Sequence, residues 1–335
     1  MPPAAINETV HVPAIDIAPF LSGDPVGKQR VVDAVAAACR DIGFLVIAGH
    51  GLPADDLARA FALTRKFFDL PQTTRDKWHP TGPSKQRGYH AFETRGLAHT
   101  LDANVPLDLR ETVFLGPLED HRDYYRNLPE AQPAYWPNTI PTEPDGVDEA
   151  VTAVYRGFER LSANLLRIFA LALDMPEGHF ADKIDKHFSI LSCHHYPALT
   201  EPPLPNQLRT GAHTDFGAMT ILAMTEAKGG LEVKMSDGGW AGVQTEPHEL
   251  VVNLGDMLAR WTNDRWRSTL HRVVNPPNLA DAMSRRQSIG YFMHPNFDTR
   301  IECFPTCLGT GEEARYPAIT AGEHIAMKIE KSHNA

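Results

Sequence analysis

Apolar positions recur at two different spacings along this chain, and the change falls near residue 188. Ahead of it the spacing is helical. Over 24–42, Val32, Val35 and Cys39 share a face, Asp24 can cap, Pro25 suits the first turn and Gly43 stops the run. The apolar residues 44–48 read as a short buried strand that ends at Gly49-His-Gly51. Leu57, Phe61, Thr64 and Phe68 lie on one stripe and predict a second helix over 53–70. Residues 71–147, rich in Pro, Gly, Arg and Asp, read as long loops with short strands. Val151, Val154, Phe158, Leu161, Leu165 and Ile168 predict a long helix over 148–173, with a shorter one over 177–187.

Beyond that point the runs become short and β-rich: 189–196, 219–225, 231–234, 240–244, 250–253, 269–274 and 287–293. Turn residues separate them, among them the hairpin signal Ser236-Asp-Gly-Gly239. Many short strands with turns between them suggest a sandwich or barrel, the jelly roll included. The expected fold class is α+β with a mainly β core supported by N-terminal helices. The expected organisation is a single catalytic domain over 1–335: a helical and loop region 1–187, a barrel 188–300 carrying the site, and an extension 301–335. Within that extension 321–331 reads as a helix that docks on its own domain or on a partner.

Composition narrows the function without naming it. A net charge of −10 argues against a sequence-independent nucleic-acid binder, and an anionic substrate would need its own arginine or lysine. No apolar run has the length of a transmembrane helix, and residues 1–8 lack the pattern of a secretory signal. Four cysteines are too few for a disulfide framework in 335 residues, so reduced thiols in a cytoplasmic protein are expected.

The candidate chemistry starts at Gly211-Ala-His-Thr-Asp-Phe-Gly217. If that segment is extended, His213 and Asp215 point to the same side and each offers one ligand to a divalent metal. His271, in a β-like run downstream, is the best-placed third ligand. Two histidines and one carboxylate leave open positions, as iron(II) requires for a co-substrate and O₂; on affinity alone zinc would compete. Among 16 histidines, a His-x-Asp spacing also fits a local hydrogen bond on a surface strand. Fifteen residues after His271 comes Arg286-Gln-Ser288, in which Arg286 and Ser288 share a face and can grip a carboxylate, while Arg285 points the other way.

The ordered set His213-x-Asp215, His271 and Arg286-x-Ser288 resembles the isopenicillin N synthase-like branch of the 2-oxoglutarate- and iron(II)-dependent oxygenases. The likeness covers nearly the whole chain. It includes Val12-Pro-Ala-Ile-Asp16, Gly43-Phe-Leu-Val-Ile-Ala-Gly-His-Gly51, Phe67-Phe-Asp-Leu-Pro71, Arg87-Gly-Tyr89 and Arg110-Glu111. Gly230-Leu-Glu-Val, Val252-Asn-Leu-Gly-Asp256 and Trp261-Thr-Asn263 continue it between the candidate ligands. The resemblance implies a double-stranded β-helix, a distorted jelly roll, with Fe(II) held by His213, Asp215 and His271. It implies 2-oxoglutarate as co-substrate, its far carboxylate on Arg286 and Ser288 with help from Tyr196. Where relatives often carry asparagine, two residues before that tyrosine, this chain has His194, whose role stays open. The implied reaction uses O₂ to oxidise a small organic molecule by hydroxylation, desaturation or ring closure, giving succinate and CO₂.

Relatives that do not consume 2-oxoglutarate keep the same arginine and serine for a substrate carboxylate, so Arg286 and Ser288 mark an anion grip without naming the anion. A zinc hydrolase would use the same three ligands but has no need of that grip, and a non-catalytic binding module would not need the site intact. The substrate pocket is expected between residues 85–116 and 292–297, with Arg87, Tyr89, Arg110, Phe292 and His294 as candidate contacts. Each of these five also has a purely structural reading.

Overall fold

The computed structural model describes residues 12–98, 105–225, 230–277 and 284–333, with the backbone alone for 331–333. The expectation placed on residues 1–8 lies outside these, as does part of 85–116. In chain order the strands are β1 (Ala14–Asp16), β2 (Phe44–Ala48), β3 (Gly88–His90), β4 (Glu111–Leu115), β5 (Ile190–Tyr196), β6 (Thr210–His213), β7 (Met219–Met224), β8 (Leu231–Lys234), β9 (Trp240–Gly242), β10 (Leu250–Leu254), β11 (His271–Val273), β12 (Arg286–Met293), β13 (Arg300–Ile301) and β14 (Ile319–Thr320). The α-helices are α1 (Ala18–Leu21), α2 (Pro25–Asp41), α3 (Ala54–Phe68), α4 (Gln72–Arg75), α5 (Val147–Ala172), α6 (Asp256–Trp261) and α7 (Ala321–His333).

Two sheets make the β core. The larger runs β1-β2-β10-β7-β12-β5-β4-β3 and the smaller β6-β11-β8-β9. Only the β1–β2 pairing among these is parallel. Four strands of the larger sheet come from before residue 188, so the N-terminal half helps to build the sheet as well as to support it.

Alternation along each strand divides the apolar residues between two cores. In β2, Leu45 and Ile47 join the core under the helices, while Phe44 and Val46 join a second cluster with Tyr196, Leu231, Val233, Val251 and Val273 between the sheets. A strand buried on both faces reads as an unbroken apolar run, and Phe44-Leu-Val-Ile is one. In β5 and β12 the odd-numbered side chains meet the helices. Tyr291 packs edge-on to Tyr155 of α5, Gln287 bonds Thr64 of α3, and His195 stacks on Phe68. The even-numbered side chains, Ile190, Ser192, His194 and Tyr196 opposite Phe292, Gly290, Ser288 and Arg286, share the other face.

The helices follow their sequence signals closely. Asp24 caps α2 by accepting from the backbone N–H of Val26 (3.2 Å) and Gly27 (3.0 Å), and Pro25 opens the helix. Gly43 ends it at φ +74°, where a Cβ would lie 2.1 Å from the Arg267 carbonyl oxygen. α5 packs its apolar face on α2 and α3. α7 starts with a reciprocal cap: Thr320 N–H donates to Glu323 (2.7 Å) and Glu323 N–H to the Thr320 hydroxyl (3.1 Å). It docks on its own chain through Lys328–Asp256 (2.5 Å) and the His324 ring against the Phe216 carbonyl (3.1 Å).

Residues 177–187 do not form the helix expected of them; only a 3₁₀ turn, Ala181–Lys183, appears there. The backbone groups that a helix would pair internally are taken by Asn296. Its amide donates to Asp182 O (3.0 Å), its side-chain oxygen accepts from Lys186 N–H (2.7 Å), and its N–H donates to Lys183 O (2.7 Å). The run expected over 269–274 is trimmed to His271–Val273, where a register irregularity breaks the pairing with β6. Among the described residues no helix is long and apolar enough to cross a membrane.

Candidate metal centre and cavity

β6 and β11 pair antiparallel with His213 opposite His271. The two imidazoles lie on one face with centroids 4.3 Å apart. β6 ends at His213, so Asp215 does not sit on an extended strand as expected; the chain has begun to turn towards β7. The turn still brings its Oδ1 to 3.5 Å from His213 Nε2 and 3.8 Å from His271 Nε2. These three atoms lie within 4.8 Å of one another in a buried setting.

Neighbouring groups fix which atoms face inward. His213 Nδ1 meets the Gly211 carbonyl at 2.8 Å and His271 Nδ1 the Thr269 carbonyl at 3.0 Å. A ring nitrogen can bond a carbonyl only by donating, so in the neutral rings both Nε2 atoms keep their lone pairs for the centre. Burial first, then the neighbouring His213, pushes the His271 pKa down to about 4, which leaves a neutral imidazole at neutral pH. Asp215 Oδ2 accepts from Thr220 Oγ1 (2.5 Å) and from the Asn253 amide (2.7 Å). Burial works against that carboxylate, but His271, His213 and Asn253 outweigh it and hold the carboxyl below the usual range. Two imidazoles that turn Nε2 towards one oriented carboxylate suit a divalent metal, and leaving further positions open is the recognised pattern of non-haem iron(II) oxygenases.

Behind the centre, between the sheets, Arg286 lies opposite Tyr196 in the β12–β5 register, with its guanidinium 5.8 Å from that ring's centroid. Ser288 follows on the same face. Arg209, buried and unforeseen from sequence, approaches the same ring at 5.9 Å and donates to the Ser284 carbonyl. Burial, then Arg286, lowers the Arg209 pKa to about 10.

In front of the centre a cavity of about 770 Å³ is lined by His213, Asp215, His194, Phe216, Phe292 and His294, by Arg87, Arg95 and Arg110, and by Ile325 and Ile329 of α7. Four of the five candidate substrate contacts therefore border it. Tyr89 does not: its hydroxyl donates to Glu111 (2.6 Å) on the helix side of the sheet, where Glu111 also meets Arg75 and His195. Arg87 directs its guanidinium at the carbonyls of Trp136 (3.1 Å), Gln86 (2.8 Å) and Ala134 (2.6 Å). Arg285 bonds His195 and Asp69, on the opposite side from Arg286. His194 stands outside the metal cluster, held by Thr112 (2.8 Å) and Ser192 (2.9 Å). Burial, Arg110 and His213 keep its ring neutral. Thr220 and Asn253 escaped the sequence reading, although Asn253 stands out as the polar residue in the apolar run Leu250–Leu254.

Two family models match in tandem. "Non-haem dioxygenase in morphine synthesis N-terminal" covers residues 12–143, and the 2OG-Fe(II) oxygenase superfamily covers 187–295. A 2-oxoglutarate-Fe(II) type oxidoreductase, hxnY of Emericella nidulans, is 30% identical over 96% of this chain and 90% of its own. The chain belongs to the 2-oxoglutarate- and iron(II)-dependent oxygenases. Proline hydroxylase buaE of Petromyces alliaceus is 32% identical over 92% of this chain and 94% of its own. A full-length Neurospora crassa protein solved with alpha-KG, which is 2-oxoglutarate, superposes with a TM-score of 0.82 at 29% identity, covering 97% of this chain and 96% of that one. The same protein has been solved with thymine as well. The fold of this oxygenase is accordingly the double-stranded β-helix, its metal is Fe(II), its co-substrate is 2-oxoglutarate, and it acts with O₂ on a small molecule.

Proposed function

We propose that His213, Asp215 and His271 hold the iron, that Arg286, Ser288 and Tyr196 grip the far carboxylate of 2-oxoglutarate, and that the adjoining cavity receives a small organic molecule for hydroxylation. The observation that carries this reading is the convergence of the two Nε2 atoms on one Asp215 oxygen across the β6–β11 pair. Bound there, iron(II) supplies the redox chemistry that couples decarboxylation of 2-oxoglutarate to oxidation of a C–H bond by O₂.

The chain's own residues do the positioning. Thr220 and Asn253 hold Oδ2 of Asp215 and leave Oδ1 to face the histidines. Phe44 meets the His271 ring edge-on at 5.3 Å and sets its plane. A planar guanidinium at Arg286 matches a carboxylate with two parallel hydrogen bonds. Phe292 and Phe216 give the cavity apolar walls that exclude water from the reacting face. The hydroxylase named among the relatives supports hydroxylation as the outcome.

The chain acts as one catalytic unit, in which the described residues before 188 and after 300 join or pack around the barrel. A cytoplasmic location fits the four thiols, all free. The test is turnover: purified protein with Fe(II), 2-oxoglutarate and O₂ should form succinate, and Asp215→Ala should abolish it. Succinate formation that survives Asp215→Ala would overturn the ligand assignment.

A further inference from the structure

Apart from the exposed Lys85, Arg95 is the cationic group lining the cavity that the account above leaves unused. It is half-buried, and its one hydrogen bond among the described residues runs to the Lys85 carbonyl at 3.2 Å. Its guanidinium lies 5.2 Å from the centroid of Phe114, and no carboxylate among the described residues pairs with it. Burial and the nearby Arg110 lower its pKa to about 10, so it stays charged at neutral pH.

Its position is fixed relative to the metal centre. Asp108 N–H donates to the Arg95 carbonyl (2.9 Å), and the Asp108 carboxylate accepts from Leu97 N–H (3.2 Å) and pairs with Arg110 (3.1 Å). The same carboxylate accepts from Gly211 N–H at 2.9 Å, two residues before His213 on β6. One aspartate therefore ties the Arg110 guanidinium and the Arg95 backbone to the strand that carries a metal-ligand candidate. It balances Arg110 and leaves the charge of Arg95 over. The cavity's acidic side chains are placed elsewhere: Asp298 accepts from Tyr125 (2.8 Å), Glu323 caps α7, and Glu130 is exposed. The walls beside the guanidiniums are aromatic, with Phe114, Phe188 and Phe292 prominent.

We propose that the substrate is a small organic monocarboxylate with an apolar, ring-sized body, its carboxylate held by Arg95 with Arg110 beside it and its body laid along the phenylalanines in front of the metal centre. A guanidinium presents paired donors that match a carboxylate, and Arg87 and Arg110 spend theirs on carbonyls, Asp108 and His194, so Arg95 is the guanidinium left for one carboxylate. The inference rests on the proposed function, because it takes this cavity as the place where the oxidation occurs.

The test uses holoprotein loaded anaerobically with Fe(II) and 2-oxoglutarate, whose visible charge-transfer band reports the centre separately. Two matched pairs serve as probes, 3-phenylpropanoate with 3-phenylpropanamide and cyclohexanecarboxylate with its amide, with affinities read by calorimetry. At least one acid should bind about tenfold or more tightly than its amide. Arg95→Gln should erase that preference, Arg95→Lys should keep part of it, and both should retain the band. Equal affinity for acid and amide, binding of none of the four, or a preference that survives Arg95→Gln would overturn the proposal. If Arg95→Gln loses the band, the wild-type acid-to-amide ratio decides alone. Absence of the band in the wild type would instead count against the proposed function.

Discussion

His271 lies directly opposite His213 across the β6–β11 pair, and both turn Nε2 towards the same oxygen of Asp215. Strand register, and not sequence proximity, therefore brings together ligand candidates 58 residues apart in number, from 213 to 271.

The hydrogen bonds that hold Asp215 give the first prediction. Asn253→Ala removes the amide that donates to Oδ2 at 2.7 Å and leaves the Thr220 hydroxyl alone to orient the aspartate. Metal affinity should fall about tenfold to a hundredfold while the fold persists. Titration of the metal-free protein with Co(II), followed by absorption, reads the change directly; unchanged affinity would show that Thr220 alone suffices.

Arg286→Lys keeps a positive charge but loses the paired donors. The 2-oxoglutarate concentration needed for half-maximal succinate formation should rise by roughly tenfold or more, with iron affinity unchanged. An unchanged requirement would remove Arg286 from the co-substrate site.

Close backbone packing beneath the Asp215 turn makes glycine necessary at 255. Its φ of −103° suits any residue, yet an added Cβ would lie 2.1 Å from Gly217 O and 3.0 Å from Asp215 O. Gly255→Ala should displace the turn and weaken metal binding, whereas Gly242→Ala, with nothing within 4 Å, should not. Paired metal titrations and melting curves of the two variants check this.

Acid should destabilise the metal-free protein well above the carboxylate range. Burial, as the leading cause, lowers the pKa of His90, His271, His294 and His324 to about 4 each. In the unfolded chain these groups titrate near ~6.5, so between those values the unfolded state binds more protons and stability falls as pH is lowered. For a fully buried ring such as His294 the loss across that window is on the order of 3 kcal/mol. Urea unfolding at pH 7, 6 and 5 should show a falling midpoint; a flat profile would contradict the neutral, buried state of these rings.

Much of this was legible in the sequence because the signals were local. The apolar run Phe44-Leu-Val-Ile needs burial on both faces, and Asp24-Pro25 carries its own helix start. The ligand candidates stood out because His213-x-Asp215 and His271 precede Arg286-x-Ser288 in an order that resembles the oxygenase family, whereas the His-x-Asp spacing by itself also fits a local hydrogen bond. What stayed hidden depends on partners distant in the chain. Asn296 diverts residues 177–187 from a helix, from more than a hundred residues downstream. Asp108 ties Arg95 and Arg110 to Gly211, and nothing in its own neighbourhood announces that role. The sequence makes Tyr89 a candidate contact beside a favoured packing reading, and its bond to the buried carboxylate of Glu111 places it on the helix side.

The most direct test of the central claim is anaerobic addition of Fe(II) and then 2-oxoglutarate to the metal-free protein, followed by visible absorption. The account predicts a charge-transfer band in the wild type at one iron per chain and its loss in His213→Ala. Stoichiometric iron binding with no band, or a band that survives His213→Ala, would contradict it.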